Sequence, residues 1–182
     1  MRGLVVGNPD GFKTKQALSL GEISMSLDIG SFTTDVIRIK ELTLIKPEIT
    51  YEYASGGSNL DVLQRNIERY LTQQHGQQKK AEDSGPSKKL VIEHLYIKNA
   101  QAHVSAKALQ GEAISIPLPD LHLKDIGKKS NGTTAGEAVR QVLETITQQI
   151  TQSMASLSMS TASQTIQKGV EGVSKTIKNL FK

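Results

Sequence analysis

A strand-like pattern of apolar residues occurs twice in this chain, and this repeat constrains the fold more than any other feature. Residues 37–51 and residues 90–104 carry apolar side chains at equivalent positions, 53 residues apart. In each copy two apolar residues stand two positions apart, a three-residue step follows, and two more stand two positions apart. This spacing is typical of a β-strand with one apolar face and one shift of phase. The aligned pairs are Ile37 with Leu90, Ile39 with Ile92, Leu42 with Leu95, Leu44 with Ile97, and Tyr51 with Val104.

The shift of phase falls at Lys40-Glu41 in the first copy and at Glu93-His94 in the second. A β-bulge supplies one extra residue at a fixed place in a strand, and it bends the strand and increases its twist. Two unrelated amphipathic strands can also be aligned in this way. Because the shift is duplicated together with the apolar positions, we favour a strand–bulge–strand unit that is used twice in a curved sheet.

Apolar alternation extends this sheet on both sides of the repeat. Residues 4–6 form a first strand, and residues 114–126 continue the sheet after the second copy. We therefore expect an α+β fold with a curved, mostly antiparallel sheet inside residues 1–127. A further half-buried strand is predicted from four apolar residues that alternate with polar ones: Ile23, Met25, Leu27 and Ile29.

Helical spacing of apolar residues predicts one helix inserted between the two copies of the repeat. This helix covers residues 59–74, and Ser58 or Asn59 caps it. Residues 75–88 have almost nothing apolar to bury and are predicted to form a mobile linker. The apolar face of the helix consists of Leu60, Leu63, Ile67 and Leu71.

A long helical segment is predicted at the C-terminal end, over residues 133–182. Thr134 and Glu137 have the spacing of a capping box. One apolar stripe runs from Val139 to Leu157, and a second stripe begins at Ala162, rotated by about 140° relative to the first. The pattern predicts either two helices with a hinge near residues 158–161 or one helix that serves two surfaces.

Composition excludes several classes of function. The chain has no cysteine, so thiolate metal sites and cysteine nucleophiles are excluded. Its net charge of +4 is spread along the chain, so we expect no nucleic-acid partner. No catalytic or cofactor-binding motif occurs, and the four histidines do not have the spacing of metal ligands. We therefore expect a non-enzymatic protein without a cofactor or a metal site.

Several stretches resemble the AsmA family of bacterial envelope proteins, which is described as involved in outer-membrane biogenesis. They are Asn8-Pro9-Asp10-Gly11-Phe12, then ALSLGEISMSLDIGSF, then IRIKELTLIKPEITYE, then GGSNLDVLQRNI at residues 56–67. The resemblance covers residues 3 to about 127 and does not extend to the C-terminal third. It implies a protein on the periplasmic side of the inner membrane. Larger relatives are similar to long β-grooves that carry phospholipids between membranes.

Two functions follow as alternatives from this resemblance and from the one-faced sheet. In the first, the apolar face holds or passes lipid acyl chains, or joins other copies of the chain into a longer groove. In the second, the helices cover that face, and the protein is a structural or adaptor module that binds other envelope proteins. The candidate residues of the apolar face are Ile23, Met25, Leu27, Ile29, Ile37, Ile39, Leu42, Leu44, Leu90, Ile92, Leu95 and Ile97.

The resemblance also implies an N-terminal membrane anchor, which family members carry ahead of the sheet. The present sequence enters a strand almost at once, at residues 3–7, and has no signal peptide. We therefore expect the natural reading frame to encode a hydrophobic segment upstream of Met1.

The last 20 residues combine apolar and basic side chains, which is typical of a helix that lies on a membrane surface or against a partner. The basic residues are Lys168, Lys175, Lys178 and Lys182. A frayed or disordered tail is the alternative. The candidate contact face consists of Ile166, Val170, Val173, Ile177, Leu180 and Phe181.

A peptide of residues 160–182 tests the membrane interpretation of the tail. We expect it to float with anionic vesicles and to become helical there, because each lysine near an anionic surface contributes up to about 1 kcal/mol. Flotation and far-ultraviolet circular dichroism measure both effects, with neutral vesicles as the control. A peptide that stays unfolded and unbound on anionic vesicles contradicts this interpretation.

Overall fold

The computed structural model of the protein describes residues 2–54, 57–77, 88–106 and 113–180. These ranges form an α+β fold with a curved, unclosed sheet of eight strands and two α-helices, as the sequence predicts. The helices are α1 (Asn59–Gln77) and α2 (Ala135–Leu180). The strands are β1 (Arg2–Gly7), β2 (Gln16–Leu27), β3 (Val36–Ala54), β4 (Gly57–Ser58), β5 (Lys89–Lys98), β6 (Gln101–Ala106), β7 (Ala113–Pro117) and β8 (Leu121–Ile126).

The 19-residue strand β3 is the axis of the sheet. On one side it pairs with β2, antiparallel, and β1 lies beyond β2 as an edge strand. On the other side it pairs in parallel with β5 along its first half and with β6 along its second half. Strands β8 and β7 continue the sheet beyond β5 and β6, both antiparallel. Since parallel neighbours need a crossover connection, α1 makes the link between β3 and β5.

The two copies of the repeat lie side by side in the sheet. Ile37 pairs with Leu90 and Leu44 pairs with Ile97 across the parallel ladder of β3 and β5. Tyr51 pairs with Val104 across the ladder of β3 and β6. Residues that are 53 positions apart in the sequence are therefore register partners in the sheet. Equivalent residues are cross-strand partners, so their apolar side chains share one face.

A first line of irregular backbone crosses the sheet where the sequence predicts the bulges. The register of β2 against β3 shifts between Ser26 and Leu27, which leaves Lys40 as the extra residue of β3. Glu93 lies next to Lys40 at the same level of β5, and the β5–β8 ladder steps from Ile92 to His94. The bulge predicted at Lys40 is confirmed. In β5 the buried residues show the same three-residue step, but the register against β8 is unchanged across Glu93, so no extra residue stands there.

A second irregular line, which the sequence analysis did not identify, lies seven residues further along. Lys46 has a φ of 51° and Asn99 a φ of 54°, so both occupy the left-handed region. They are again 53 positions apart and therefore neighbours in the sheet. On β2, a Cβ atom on Gly21 would lie 3.1 Å from the carbonyl oxygen of Ile45, so a glycine allows this close approach. This line passes through the break between β5 and β6. It then runs through the loop around Pro119, which connects β7 to β8.

Both helices pack on the apolar face of the sheet. Leu60 from α1, and Ile146 and Ile150 from α2, belong to the same buried cluster as Leu95 and Ile97 of β5. Burial of these large side chains is the main contribution to the stability of such a fold, at roughly 25 cal/mol per Å² of apolar surface. Coverage is incomplete beside the edge strand β1, where Leu4 is 43% and Met25 is 55% exposed.

The helix ends follow from local capping interactions. The Ser58 hydroxyl accepts from the backbone N–H of Asp61 at 3.1 Å, and the Asp61 carboxylate accepts from the N–H of Ser58 at 2.9 Å. This reciprocal arrangement starts α1. At α2, the Thr134 hydroxyl accepts from the N–H of Glu137 at 3.2 Å, but the Glu137 carboxylate pairs with Arg140. Of the two hydrogen bonds of the predicted capping box, only the one to the Thr134 hydroxyl is therefore formed.

The helix boundaries differ in part from the expected ones. α1 runs to Gln77 and so includes the first three residues of the expected linker, while residues 78–87 lie outside the described residues. α2 continues without interruption through residues 158–161. Of the two alternatives, the structure has the single helix and not the hinge.

Replacing Asn99 tests the second irregular line. We expect Asn99→Ala to lower the free energy of unfolding by about 1 kcal/mol, because a Cβ-bearing residue that cannot bond its own backbone is strained at positive φ. Asn99→Gly is the matched control and should preserve or raise stability, since glycine adopts this conformation freely. Urea unfolding measures both. Equal stabilities of the two variants would show that Asn99 is not left-handed.

Candidate functional site

Most of the expected apolar-face residues are buried or half-buried, and Met25 and Ile29 are exposed. Ile92, Leu95 and Ile97 are buried in the central cluster. Ile39, Leu42, Leu44 and Leu90 are half-buried against this cluster. On β2, Ile23, Met25 and Leu27 pair with β3 residues of the same face, at the side that the helices cover least. Ile37 is half-buried next to Leu90.

The placement of Ile29 on the sheet was wrong. β2 ends at Leu27, and Ile29 begins a short 3-10 helix, Ile29–Thr33, where it is 79% exposed. The Asp28 carboxylate accepts from the N–H of Gly30 at 3.2 Å and turns the chain there. A local side-chain bond of this kind competes with the strand ladder, and apolar alternation does not reveal it.

The expected membrane or partner face of the tail lies outside the residues whose side chains the structure describes. The backbone of α2 continues as a helix to Leu180, and Phe181 lies beyond the described range. The orientation of these residues stays a prediction: Ile166, Val170, Val173, Ile177, Leu180 and Phe181.

An open groove lies between α2 and the edge strand β7, with a volume of about 440 Å³. Ile114 and Ile116 of β7 line one wall. The helix contributes Leu157 together with the polar side chains of Gln149 and Ser153. The groove is therefore amphipathic, with apolar walls and hydrogen-bonding groups along the helix.

The first and the last of the four stretches quoted for the family resemblance meet in one polar junction. Asn8, from the loop after β1, accepts a hydrogen bond from the Nδ2 atom of Asn59 at 2.8 Å. Asn59 also donates to the carbonyl of Thr50 at 2.8 Å and accepts from the N–H of Glu52 at 2.9 Å. Asn59 is fully buried, so these bonds satisfy a side chain that would otherwise cost stability. The junction fastens the first loop to β3 and to the start of α1.

Glu52 is the buried carboxylate of this junction and is 7% exposed. It accepts from the N–H of Lys13 at 2.7 Å, from the N–H of Thr14 at 3.0 Å and from the Thr14 hydroxyl at 2.7 Å. Burial by itself raises the pKa of Glu52, but these three bonds and the charge of Lys13 outweigh it and lower the pKa below its usual value. The sequence analysis did not identify Glu52, because its partners lie almost 40 positions away.

Comparisons of this chain with family models, with curated proteins and with solved structures found no match. In the described part of the chain, neither helix has a stretch that is both long and apolar enough to cross a membrane. The same residues contain no group of three or more histidine or acidic side chains placed to hold one metal ion.

Replacing Glu52 tests the junction. At neutral pH we expect Glu52→Gln to lower the free energy of unfolding by about 1–3 kcal/mol, because a neutral amide has one acceptor oxygen in place of two and turns an NH2 group toward N–H donors. Since the folded-state pKa is lowered, the carboxylate contributes stability above its unfolded pKa, and this contribution disappears as the pH falls through the folded pKa. The difference between wild type and variant should therefore shrink in acid.

Urea unfolding at neutral pH and at about pH 3 measures this difference. Glu48→Gln is the matched control, because Glu48 lies on the same strand with its side chain exposed, and we expect no change there. A Glu52→Gln variant as stable as wild type at neutral pH contradicts the role given to the carboxylate.

Proposed function

We propose that the protein is a non-enzymatic structural or adaptor module of AsmA-like type in the bacterial cell envelope. The observation that supports it is the filled inner face of the sheet. Ile97 from the sheet, Leu60 from α1 and Ile150 from α2 are almost completely buried against the same cluster. A helix with an apolar face is the usual cover for a one-faced sheet.

The packing argues against an acyl-chain channel along the whole inner face. A lipid in that position would have to displace α1 and α2 and expose the apolar side chains that they bury. Each large side chain contributes about 1.5–3 kcal/mol when it is buried, so displacing several of them at once carries a large cost in stability. The function as a module therefore has to use the edges and the outer face of the sheet.

The edge strand β1 is the surface best suited to binding other envelope proteins. Within the described residues, only β2 pairs with it, so the backbone groups along its other side face no strand. Leu4 and Val5 are exposed on this strand. An open edge with apolar side chains can accept a strand from another protein or from a second copy of this chain. These partners and a location on the periplasmic side of the inner membrane are part of the proposal.

Lipid handling is the second candidate, and the groove between α2 and β7 favours it. Its volume of about 440 Å³ is within the range of small-molecule sites, roughly 300–1,000 Å³. Its apolar walls and polar helix side chains suit a single amphiphile. In this alternative, lipid enters beside α2 and leaves the covered part of the sheet unchanged.

Native mass spectrometry of the protein, purified and then mixed with phospholipid, separates the two candidates. The module proposal predicts a spectrum without lipid adducts. Adducts that are present in wild type and lost in Ser153→Trp, which fills the groove, would overturn it in favour of lipid handling. Thr151→Trp is the matched control, because Thr151 lies on the same helix with its side chain exposed and away from the groove.

A further inference from the structure

The outer face of the sheet brings two histidines together that are 28 positions apart in the sequence. His94 is on β5 and His122 is on β8, and both are exposed. The Nδ1 atom of His94 lies 3.1 Å from the Nε2 atom of His122, with the ring centroids 5.3 Å apart. The ladder makes them diagonal neighbours, because His94 pairs with Lys124 and His122 pairs with Tyr96.

Tyr96 is the direct cross-strand partner of His122, and its ring packs against the His122 ring. The two rings are stacked, with centroids 4.2 Å apart and planes 19° from parallel. The Lys98 ammonium lies 5.1 Å from the centre of the Tyr96 ring. The His122 ring is therefore supported by stacking, while the edge that carries its Nε2 atom faces His94.

We propose that His94 and His122 form a two-histidine binding site for a divalent transition-metal cation of the Zn²⁺ and Cu²⁺ class. Imidazole nitrogens bind such ions at about 2.0–2.1 Å, which places two ligand nitrogens about 3.4 Å apart at a tetrahedral angle and about 2.9 Å apart at a right angle. The observed separation of 3.1 Å lies between these values. Without a metal ion the two nitrogens share a hydrogen bond, and an ion bound between them replaces the shared proton.

Charged side chains flank the pair on the outer face. Lys124 pairs with His94 across the β5–β8 ladder, and Glu41 is the register partner of His94 on β3. Both are exposed, so one side chain of each sign stands beside His94. Partial desolvation, the charge of Lys124 and the neighbouring His94 lower the pKa of His122, in that order of importance.

The site has open coordination positions. Since the described residues include no third histidine or acidic side chain placed for the same ion, water takes the remaining positions. Such a site is exchangeable, and it differs from a closed structural zinc site with four protein ligands. A metal ion held there also ties β5 to β8 directly beside the level at which their ladder skips a pair.

Isothermal titration calorimetry of the untagged, full-length protein with Zn²⁺ tests the proposal, and Cu²⁺ electron paramagnetic resonance identifies the ligands. We expect one equivalent to bind at about pH 7.5, with a copper spectrum that shows coordinated imidazole nitrogen. Single variants His94→Gln and His122→Gln should each weaken binding at least about tenfold, because each removes one arm of a chelate. Binding should also weaken in acid, because protons compete with the metal ion for the imidazole nitrogens.

His103→Gln is the matched control. His103 is on β6, and its Nδ1 atom forms a hydrogen bond of 2.9 Å with the Ser115 hydroxyl, away from the pair. We expect unchanged affinity in this variant. The proposal is overturned if wild type binds no Zn²⁺, or if His103→Gln weakens binding as much as His94→Gln does. Because both histidines of the pair are exposed, loss of folding does not explain a loss of binding, and circular dichroism verifies this.

Discussion

The shape of the sheet depends on two left-handed residues that lie side by side: Lys46 on β3 and Asn99 in the break between β5 and β6. A single residue at positive φ would disturb the pairing on both sides of its strand. Here the ladders resume beyond this level with unchanged register, because the neighbours deviate together and Gly21 allows the backbone of β2 to approach. Duplication of the strand unit thus turns a local irregularity into a bend of the whole sheet.

This bend connects the repeat to the proposed function. Two helices pack on the apolar face of the curved sheet at once, and Leu60 of α1 and Ile150 of α2 reach the same cluster from different helices. The polar junction around Asn59 and Glu52 fixes where α1 starts, so the helix cannot slide along the face. The resulting core is filled, and contacts with other molecules are left to the edges, the groove beside α2 and the outer face.

The spacing of apolar residues in the sequence predicts those parts of the architecture that depend on periodicity. The two strand units, the bulge at Lys40 and both helices follow from spacing that burial imposes. The second bend was missed because Pro47, a buried residue, was not counted with the apolar pattern, although Leu44, Pro47 and Ile49 repeat the same three-residue step. The groove, the Glu52 carboxylate and the histidine pair depend on which distant segments become neighbours, and no local pattern encodes that.

The outer face of the sheet is where the histidine pair gains its geometry. Tyr96 and His122 are direct cross-strand partners, and their stacked rings contact each other between β5 and β8. His94 meets His122 on the diagonal, close to the level of Glu93 and Asp125, where the β5–β8 ladder skips a pair and Asp125 has a φ of 55°. A metal ion held by the proposed pair would bridge the two strands beside this level, so binding would also support the sheet there.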